Sequence, residues 1–598
     1  MILATLNEYY DRISDDPNSV IPTLGYSMEK ISYAIVLDHN GNILAVDDVR
    51  DISGKKPIPK DLIVPQAVIR SSGIEPNFLW DKTSYVLGVS KSSKRTKKEH
   101  TAFINLHKEI LKYSTDEGLL ALLAFLENWE PDDFITNSLF VRYGDDLKDT
   151  NIVFRLNNEK NYLHERQAVQ NLLLDLVTDN LEEKIGMCLV TGKQAPLARL
   201  HSAIKGVKGA QSSGAAIVSF NLNAFESYNK TQGENAPVSE EAAFKYTTAL
   251  NYLLRKSDHN RQKIVLSDTT IVFWAQADNA DEAEAAESMF ASFLSPKDDD
   301  LRETERIRTA LELLKQGRPL RDLDQKLNNT TRIFILGLAP NASRLSIRFW
   351  ENNTLERFAI HLAQHYEDIR LEPSPWKTFP AIWQLLLATA PSRDGKSKSD
   401  DVPPHIAGEM MRAILTGGLY PQSLLGVLLM RMRADKNISG TRIALLKGVL
   451  TRFNRVRNIN TNKGGTLMSL DTSNTDPGYL LGRLFASMEN IQRSALGREI
   501  NATIRDRYYG AASATPASIF PLLLRNTQNH LSKIRKEKPG WAYNFEKEIG
   551  GIIELLDTEF PKSLRLEAQG HFAIGYYHQN QARFASPKTI NKEEGEEE

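Results

Sequence analysis

Between Ile204 and Asn221 the chain runs Ile-Lys-Gly-Val-Lys-Gly-Ala-Gln-Ser-Ser-Gly-Ala-Ala-Ile-Val-Ser-Phe-Asn. Gly206, Gly209 and Gly214 let the backbone take positive φ and come close to a ligand. Lys205, Lys208, Gln211, Ser212 and Ser213 offer hydrogen-bond donors with little bulk. Such a loop suits a phosphate or a nucleic-acid groove. It lacks the Gly-Lys-Ser/Thr ending of a nucleotide-binding P-loop, and its glycine spacing does not fit the dinucleotide fingerprint, so a mononucleotide pocket is not the first choice. The residues that follow, Ala216 to Asn221, read as a strand.

Catalytic patterns are otherwise missing. The chain has no Gly-x-Ser-x-Gly elbow, no His-Glu-x-x-His and no adjacent His-Asp pair of the kind metal-dependent nucleases use. Asp281-Glu282-Ala283-Glu284 looks like a helicase acidic box, but it has no P-loop to serve and sits in an Ala/Glu helix. Cys188 is the single cysteine, which excludes an internal disulfide framework and a cysteine-based zinc cluster and reads as a buried structural thiol in a reducing compartment. His100, His107, His164 and His201 show no ligand spacing and read as structural or surface residues. No cofactor is expected.

A second segment sits well with the glycine loop. Ser71 to Trp80 (Ser-Ser-Gly-Ile-Glu-Pro-Asn-Phe-Leu-Trp) sets an asparagine beside aromatics in a Gly/Pro-framed loop. Asparagine can read base edges, and Phe and Trp can stack or wedge. Packing in a domain core is the competing account of Phe78 and Trp80; Asn77 has no such ready alternative.

At 598 residues the chain is too long for one core and implies several domains. The 74 Lys and Arg nearly balance the 75 Asp and Glu, so the net charge of −1 names no partner. Charge is segregated, however. Asp81 to Lys98 holds six basic residues against one acid, and Arg431 to Lys463 holds nine against one. Such stretches either meet a polyanion or are solvated helix faces. Polar residues break the N-terminus before an apolar signal core forms, and no uncharged stretch of 18 residues occurs. The expectation is a cytoplasmic protein without a membrane partner.

The elements that must position these residues change along the chain. Ile31 to Leu37 and Asn42 to Val49 read as strands joined at Asn40-Gly41, a hairpin signal. Thr83 to Val89, Asn151 to Leu156, Met187 to Val190, Lys263 to Leu266 and Thr270 to Ala275 read as further strands. Ser239 to Lys256 reads as a helix with Glu240 and Glu241 in its first turn. Arg332 to Leu338 and Arg344 to Trp350 form one more strand pair; from Leu355 on the period is helical, with a polar break at Asn458 to Thr475. Beyond it Tyr479 to Leu496, Ser518 to Lys536, Tyr543 to Leu556 and Ser563 to Ala582 have bundle length. The fold class is α+β: a mixed α/β N-terminal region, residues 1–350, a helical linker region, 351–460, and an all-α C-terminal helical bundle, 468–598.

Five strings carry a resemblance: Glu29 to Ala34 (Glu-Lys-Ile-Ser-Tyr-Ala), Ser72 to Asp81, Ile204 to Phe220, Tyr246 to Leu254, and Ile504 to Ser513 (Ile-Arg-Asp-Arg-Tyr-Tyr-Gly-Ala-Ala-Ser). Together they resemble the large subunit of the subtype I-C CRISPR surveillance complex, Cascade, in order and over nearly the whole chain. The resemblance implies a non-enzymatic subunit that joins crRNA-bound backbone subunits, finds the protospacer-adjacent motif in target double-stranded DNA, helps open the duplex, holds the displaced strand of the R-loop and offers a docking surface to a helicase-nuclease. In such systems base pairing reads the target and protein reads only the flanking motif.

Carried onto this chain, Asn77, Phe78, Lys208, Gln211, Ser212 and Ser213 become the expected motif-reading and wedge residues. Small residues suit a narrow minor groove. Lys55, Lys56, Lys82, Lys91, Lys94, Arg95, Lys205, Arg442, Lys447, Arg452, Arg455, Lys533 and Arg535 become the expected backbone contacts. The resemblance also implies a small subunit arising by internal translation of the same gene. Lys463-Gly464-Gly465 requires AAR-GGN-GGN codons, a purine-rich sequence ahead of Met468. Two other classes compete: a stand-alone nucleic-acid-binding scaffold without guide-dependent targeting, and a nuclease holding a divalent metal on Asp38, Asp47 and Asp48.

Overall fold

The computed structural model describes residues 2–17, 19–54, 56–70, 73–179, 184–257, 259–297, 300–393, 395–457, 467–497, 500–556 and 559–584. They divide into two compact units. The first is Met1–Gly206 with Gln211–Arg255, and the second is Val207–Ala210 with Lys256–Glu598.

The first unit is built around a four-stranded sheet in the order Ile43–Asp48, Tyr33–Leu37, Asn151–Leu156, Asp81–Lys82. All five residues of Tyr33–Leu37 are buried, as an apolar central strand requires. It pairs parallel with Asn151–Leu156, Ile35 facing Phe154, and antiparallel with Ile43–Asp48. The Asn-Gly hairpin is present, and its Gly41 (φ 82) is obligatory: a Cβ there would stand 2.4 Å from the Phe125 backbone nitrogen in the helix Glu117–Asn128. That helix and Thr96–Ile110 cover one sheet face through Phe103, Leu122 and Phe125. The helix Glu240–Leu254 starts where its acidic first turn predicts, with the Ser239 hydroxyl accepting from the Ala242 N–H.

Three strand expectations fail here. Met187 to Val190 leaves the ladder at once, because the strand Ile185–Met187 ends there and Leu189 and Val190 form a turn. After the two-residue strand Asp81–Lys82 the chain turns into a short helix, Thr83–Val86, because the Thr83 hydroxyl and carbonyl are drawn onto Asp149 N–H and Leu87 N–H. Ala216 to Asn221 forms no strand beyond the bridge that Ala215 makes to Ile204.

The second unit starts on an antiparallel sheet in the order Arg344–Thr354, Arg332–Asn341, Thr269–Gln276, Lys263–Leu266. Ile271, Phe273, Ile333 and Ile335 pack into one continuous core with Phe290 and Phe358 of the helices Ala280–Leu294 and Leu355–Ile369. Among the described residues no strand follows Thr354. Helices Pro404–Thr416, Gln422–Ala434 and Gly440–Val456 lead to the terminal bundle Pro477–Leu496, Ile504–Ala514, Pro516–Glu537, Pro539–Glu554 and Leu566–Gln581. Pro477–Leu496 and Leu566–Gln581 approach so closely that a Cβ on Gly482 would lie 2.0 Å from the Phe572 carbonyl oxygen. The α+β class is therefore as expected, with the helices gathered in the C-terminal half. None of the helices described is long and apolar enough to cross a membrane.

Candidate nucleic-acid interface

The glycine-rich segment is a closed loop. Ile204 and Ala215 exchange N–H···O bonds of 2.9 Å across its base, and both are buried. Gly206, Gly209 and Gly214 have φ of 91, 77 and 96, the positive values their spacing predicts. Two of them serve the loop's own packing: a Cβ on Gly206 would meet the Leu254 carbonyl at 2.8 Å, and one on Gly214 would meet the Ala203 Cβ at 2.8 Å.

The tip is Gln211-Ser212-Ser213, all exposed, closed by Gly214 N–H donating to the Gln211 carbonyl at 2.9 Å. Sequence reasoning missed the brace at the base. Asn251 accepts from the Lys205 N–H at 2.8 Å and donates to the Ala203 carbonyl at 3.1 Å. Its signal was present in the Tyr246 to Leu254 string. Lys205 Nζ lies 2.9 Å from both carboxylate oxygens of Glu29. Residues 207–210 belong to the second unit, where Lys208 Nζ pairs with Asp400 at 2.7 Å and its N–H donates to Thr270 Oγ1. Lys208–Asp400 is an exposed pair worth little, about 0–1 kcal/mol, so Lys208 can exchange its carboxylate for a phosphate at small cost, whereas the Glu29 side chain that holds Lys205 is only 13% exposed.

The Asn77-Phe78 loop is different, and the expectation that Asn77 reads the motif and Phe78 wedges the duplex is corrected. Asn77 is 4% exposed and Phe78 7%. Asn77 Oδ1 accepts from the Val68 N–H at 2.9 Å, and its own N–H donates to Asp81 Oδ2 at 2.8 Å. Phe78 stacks on His107 at 5.4 Å between centroids. His107 accepts from Leu79 N–H through Nε2 at 2.9 Å while Nδ1 meets the Phe103 carbonyl at 2.8 Å. Complete burial pushes this imidazole down to about 4, keeping it neutral. Trp80 donates to the Pro65 carbonyl. A wedge residue needs a free ring face and a reading residue a free edge; here both are used inside the unit.

The basic segments part company. Lys56, Lys82, Lys91, Lys94 and Arg95 are exposed on the first unit, and Ser90 and Ser93 fix the loop beneath them by accepting from the N–H groups of Ser92, Ser93 and Arg95. Lys55 lies outside the described residues. In the second unit the expected track along Gly440–Val456 is corrected as well, because three of its four residues are buried. Arg442 pairs with Asp435 and donates to the Ala388 and Asn437 carbonyls. Lys447 donates to the carbonyls of Glu367 (3.1 Å) and Asp368 (2.9 Å), and burial pushes its ammonium down to about 8. Arg452, wholly buried, binds Asp368 at 2.8 Å and the Ala413 carbonyl at 2.9 Å. Arg455 closes on the same Asp368 at 2.5 and 2.9 Å. Asp368 thus supplies the counter-charge of Arg452 and Arg455, the carbonyls at the end of Leu355–Ile369 hold Lys447, and Asp435 holds Arg442. Lys533 and Arg535 do remain exposed at the end of Pro516–Glu537, Arg535 paired with Glu546.

The carboxylates of the nuclease alternative are also committed. Asp38 accepts from Asn40 and Asn42 N–H groups within the hairpin, Asp47 pairs with Arg155 at 2.6 Å, and Asp48 with Arg50 at 2.6 Å. Of the internal-start signal, Lys463-Gly464-Gly465 lies outside the described residues, whereas the Met468 carbonyl accepts from Glu372 N–H.

A model of the CRISPR-associated protein family Cas_Csd1 matches residues 6–584, nearly the whole chain. The chain belongs to that family. This agrees with the resemblance to the type I-C Cascade large subunit carried by the five strings, and the chain is accordingly a CRISPR-associated Cascade subunit. No curated protein matches it.

Proposed function

We propose that this Cas_Csd1 chain is the non-catalytic large subunit that reads the protospacer-adjacent motif in duplex DNA, promotes unwinding, stabilises the displaced strand and recruits the helicase-nuclease, working in the cytoplasm with crRNA-bound backbone subunits. The observation that carries the reading is the exposed Gln211-Ser212-Ser213 tip on a loop locked at its base by the Ile204–Ala215 pair and Asn251. An exposed amide and two hydroxyls on a rigid narrow tip match a minor groove, whose edges offer mostly acceptors. Lys205 and Lys208 would then hold flanking phosphates after leaving Glu29 and Asp400. The exposed Lys82 to Arg95 patch and Lys533 would bear on DNA backbone, while Asn77 and Phe78 would act only by keeping their loop folded.

The functional division 1–350, 351–460 and 468–598 follows from this reading, with the last part also made separately as a small subunit from Met468.

The test is an electrophoretic shift of reconstituted complex on targets with and without the motif. Gln211→Ala should weaken the motif-bearing target by about 1–3 kcal/mol, roughly 5- to 150-fold, and leave the other unchanged. Asn77→Ala should affect both alike. Equal losses on both targets for Gln211→Ala would overturn the reading.

A further inference from the structure

With Phe78 and Trp80 packed inside the first unit, neither ring can enter a base step, but the same unit presents another aromatic that can. Tyr228 is 95% exposed, the most exposed large hydrophobic side chain among the described residues. It stands in the turn Ser227-Tyr228-Asn229-Lys230, closed by the Lys230 N–H donating to the Ser227 carbonyl at 3.0 Å. Both central residues have positive φ, 53 for Tyr228 and 57 for Asn229, the signature of a type I′ turn. Asparagine tolerates that region, whereas a bulky tyrosine sits there only under strain that its surroundings enforce.

The surroundings that enforce it are on one short segment. Asn235 Oδ1 accepts from the Ser227 N–H at 3.1 Å, and its Nδ2 donates to the carbonyls of Lys230 and Gln232, each at 3.0 Å. One carboxamide thus ties both ends of the turn. Below it the Gly233 N–H donates to the Arg199 carbonyl at 3.1 Å, and a Cβ on Gly233 would stand 2.1 Å from the Ala198 carbonyl oxygen. Arg199 also donates to Gln232 Oε1 at 3.1 Å. The turn is therefore rigid at its base while its ring packs on almost nothing.

That base adjoins the base of the glycine loop. Ala198 and Arg199 hold the tyrosine turn, and Ala203 and Ile204 hold the loop that ends in Gln211-Ser212-Ser213. Arg199 and Ile204 are five residues apart. An extended chain of that length spans at most about 18 Å, or roughly five base-pair steps. The two loops rise from one stretch of backbone, at a spacing that lets one read a flanking motif while the other meets the base pairs next to it.

We propose that Tyr228 is the wedge that parts the target duplex beside the flanking motif, its ring entering a base step and the exposed Lys230 holding an adjacent phosphate. Apolar and aromatic side chains that enter a step unstack it and take over the stacking of the displaced base. The proposal rests on the reading of this chain as the subunit that opens target DNA. It assigns that opening to a residue outside the motif-reading tip.

The test follows opening of a guide-matched duplex by the reconstituted complex, with a fluorescent adenine analogue in the first base pairs beside the motif. A second target carries the same motif with those pairs already mismatched into a bubble. Tyr228→Ala should slow the fluorescence rise on the duplex by roughly 5- to 150-fold, the range that one base–aromatic stack supplies, and the defect should vanish on the bubble. Tyr228→Phe, which keeps the ring, should restore opening. Tyr228→Gly, which relieves the turn, should open as slowly as Tyr228→Ala without a lower thermal midpoint. If the complex opens duplexes with and without the motif alike and Tyr228→Ala is still slow, the motif reading of Gln211 fails and the wedge is supported. An unaltered rate for Tyr228→Ala, an equal loss on duplex and bubble, or Tyr228→Phe as slow as Tyr228→Ala would each overturn the proposal. So would an unaltered complex that opens no duplex, or failure of the Tyr228→Ala complex to assemble, which would mark the ring as a protein contact.

Discussion

Arg452→Met separates a structural from a DNA-binding role for the basic helix Gly440–Val456. Arg452 is wholly buried, donates to Asp368 and the Ala413 carbonyl, and lies 4.1 Å from the centroid of the Tyr420 ring. Methionine approximates its stem but leaves the Ala413 carbonyl without its donor. Removing one partner of a buried ion pair costs about 3–5 kcal/mol. Arg455 still holds both oxygens of Asp368, which puts the expected loss at the lower end, about 3 kcal/mol. At about 2 °C per kcal/mol for a large unit, the thermal midpoint of the second unit should drop by roughly 6 °C. Differential scanning fluorimetry and strand binding on the same preparation decide. Lys533→Met, at an exposed helix end, should leave the midpoint within about 1 °C, since exposed substitutions usually stay within about 0.5 kcal/mol. An unchanged midpoint for Arg452→Met together with a reduced salt slope on DNA would refute the reasoning and restore the exposed track.

Two further outcomes follow. The folded pKa of His107, about 4, lies below the ordinary 6.5 because burial disfavours its charged form; its contribution to stability is therefore full above pH 6.5 and lost as pH falls towards 4. At about 1.4 kcal/mol per unit, this is at most about 3.5 kcal/mol. His107→Gln, which can still accept from Leu79, should flatten urea-midpoint stability across that window, and an unaltered slope would count against the buried neutral imidazole. If translation also starts at Met468, intact mass of the purified complex should show a product of that start that disappears when Met468 is recoded; a complex without it excludes the internal start.

What the sequence disclosed followed how local its cause was. The Asn40-Gly41 turn, the helix with Glu240 and Glu241 in its first turn and the positive φ of the three loop glycines are set by the residues themselves, and all were read correctly. Asn77 and Phe78 were misplaced because the residues that can wedge a duplex are also those that pack, and the partner that decides for Phe78, His107, comes from the helix Thr96–Ile110, some thirty residues on. The stripe Arg442 to Arg455 was misread for the same reason. Its spacing marks a helix, but the carboxylate that buries Arg452 is Asp368, 84 residues earlier. Asn251 was visible only as part of a string, since its role is to bond a backbone 46 residues away.

The central claim, that Gln211-Ser212-Ser213 reads the flanking motif, is tested most directly by selecting bound targets from a library randomised at the flanking positions, using complexes carrying the unaltered chain or Gln211→Ala. The account predicts that the unaltered complex enriches one motif and that Gln211→Ala relaxes the preference at one or two positions. The same motif enriched to the same degree, at uniformly lower yield, would contradict it.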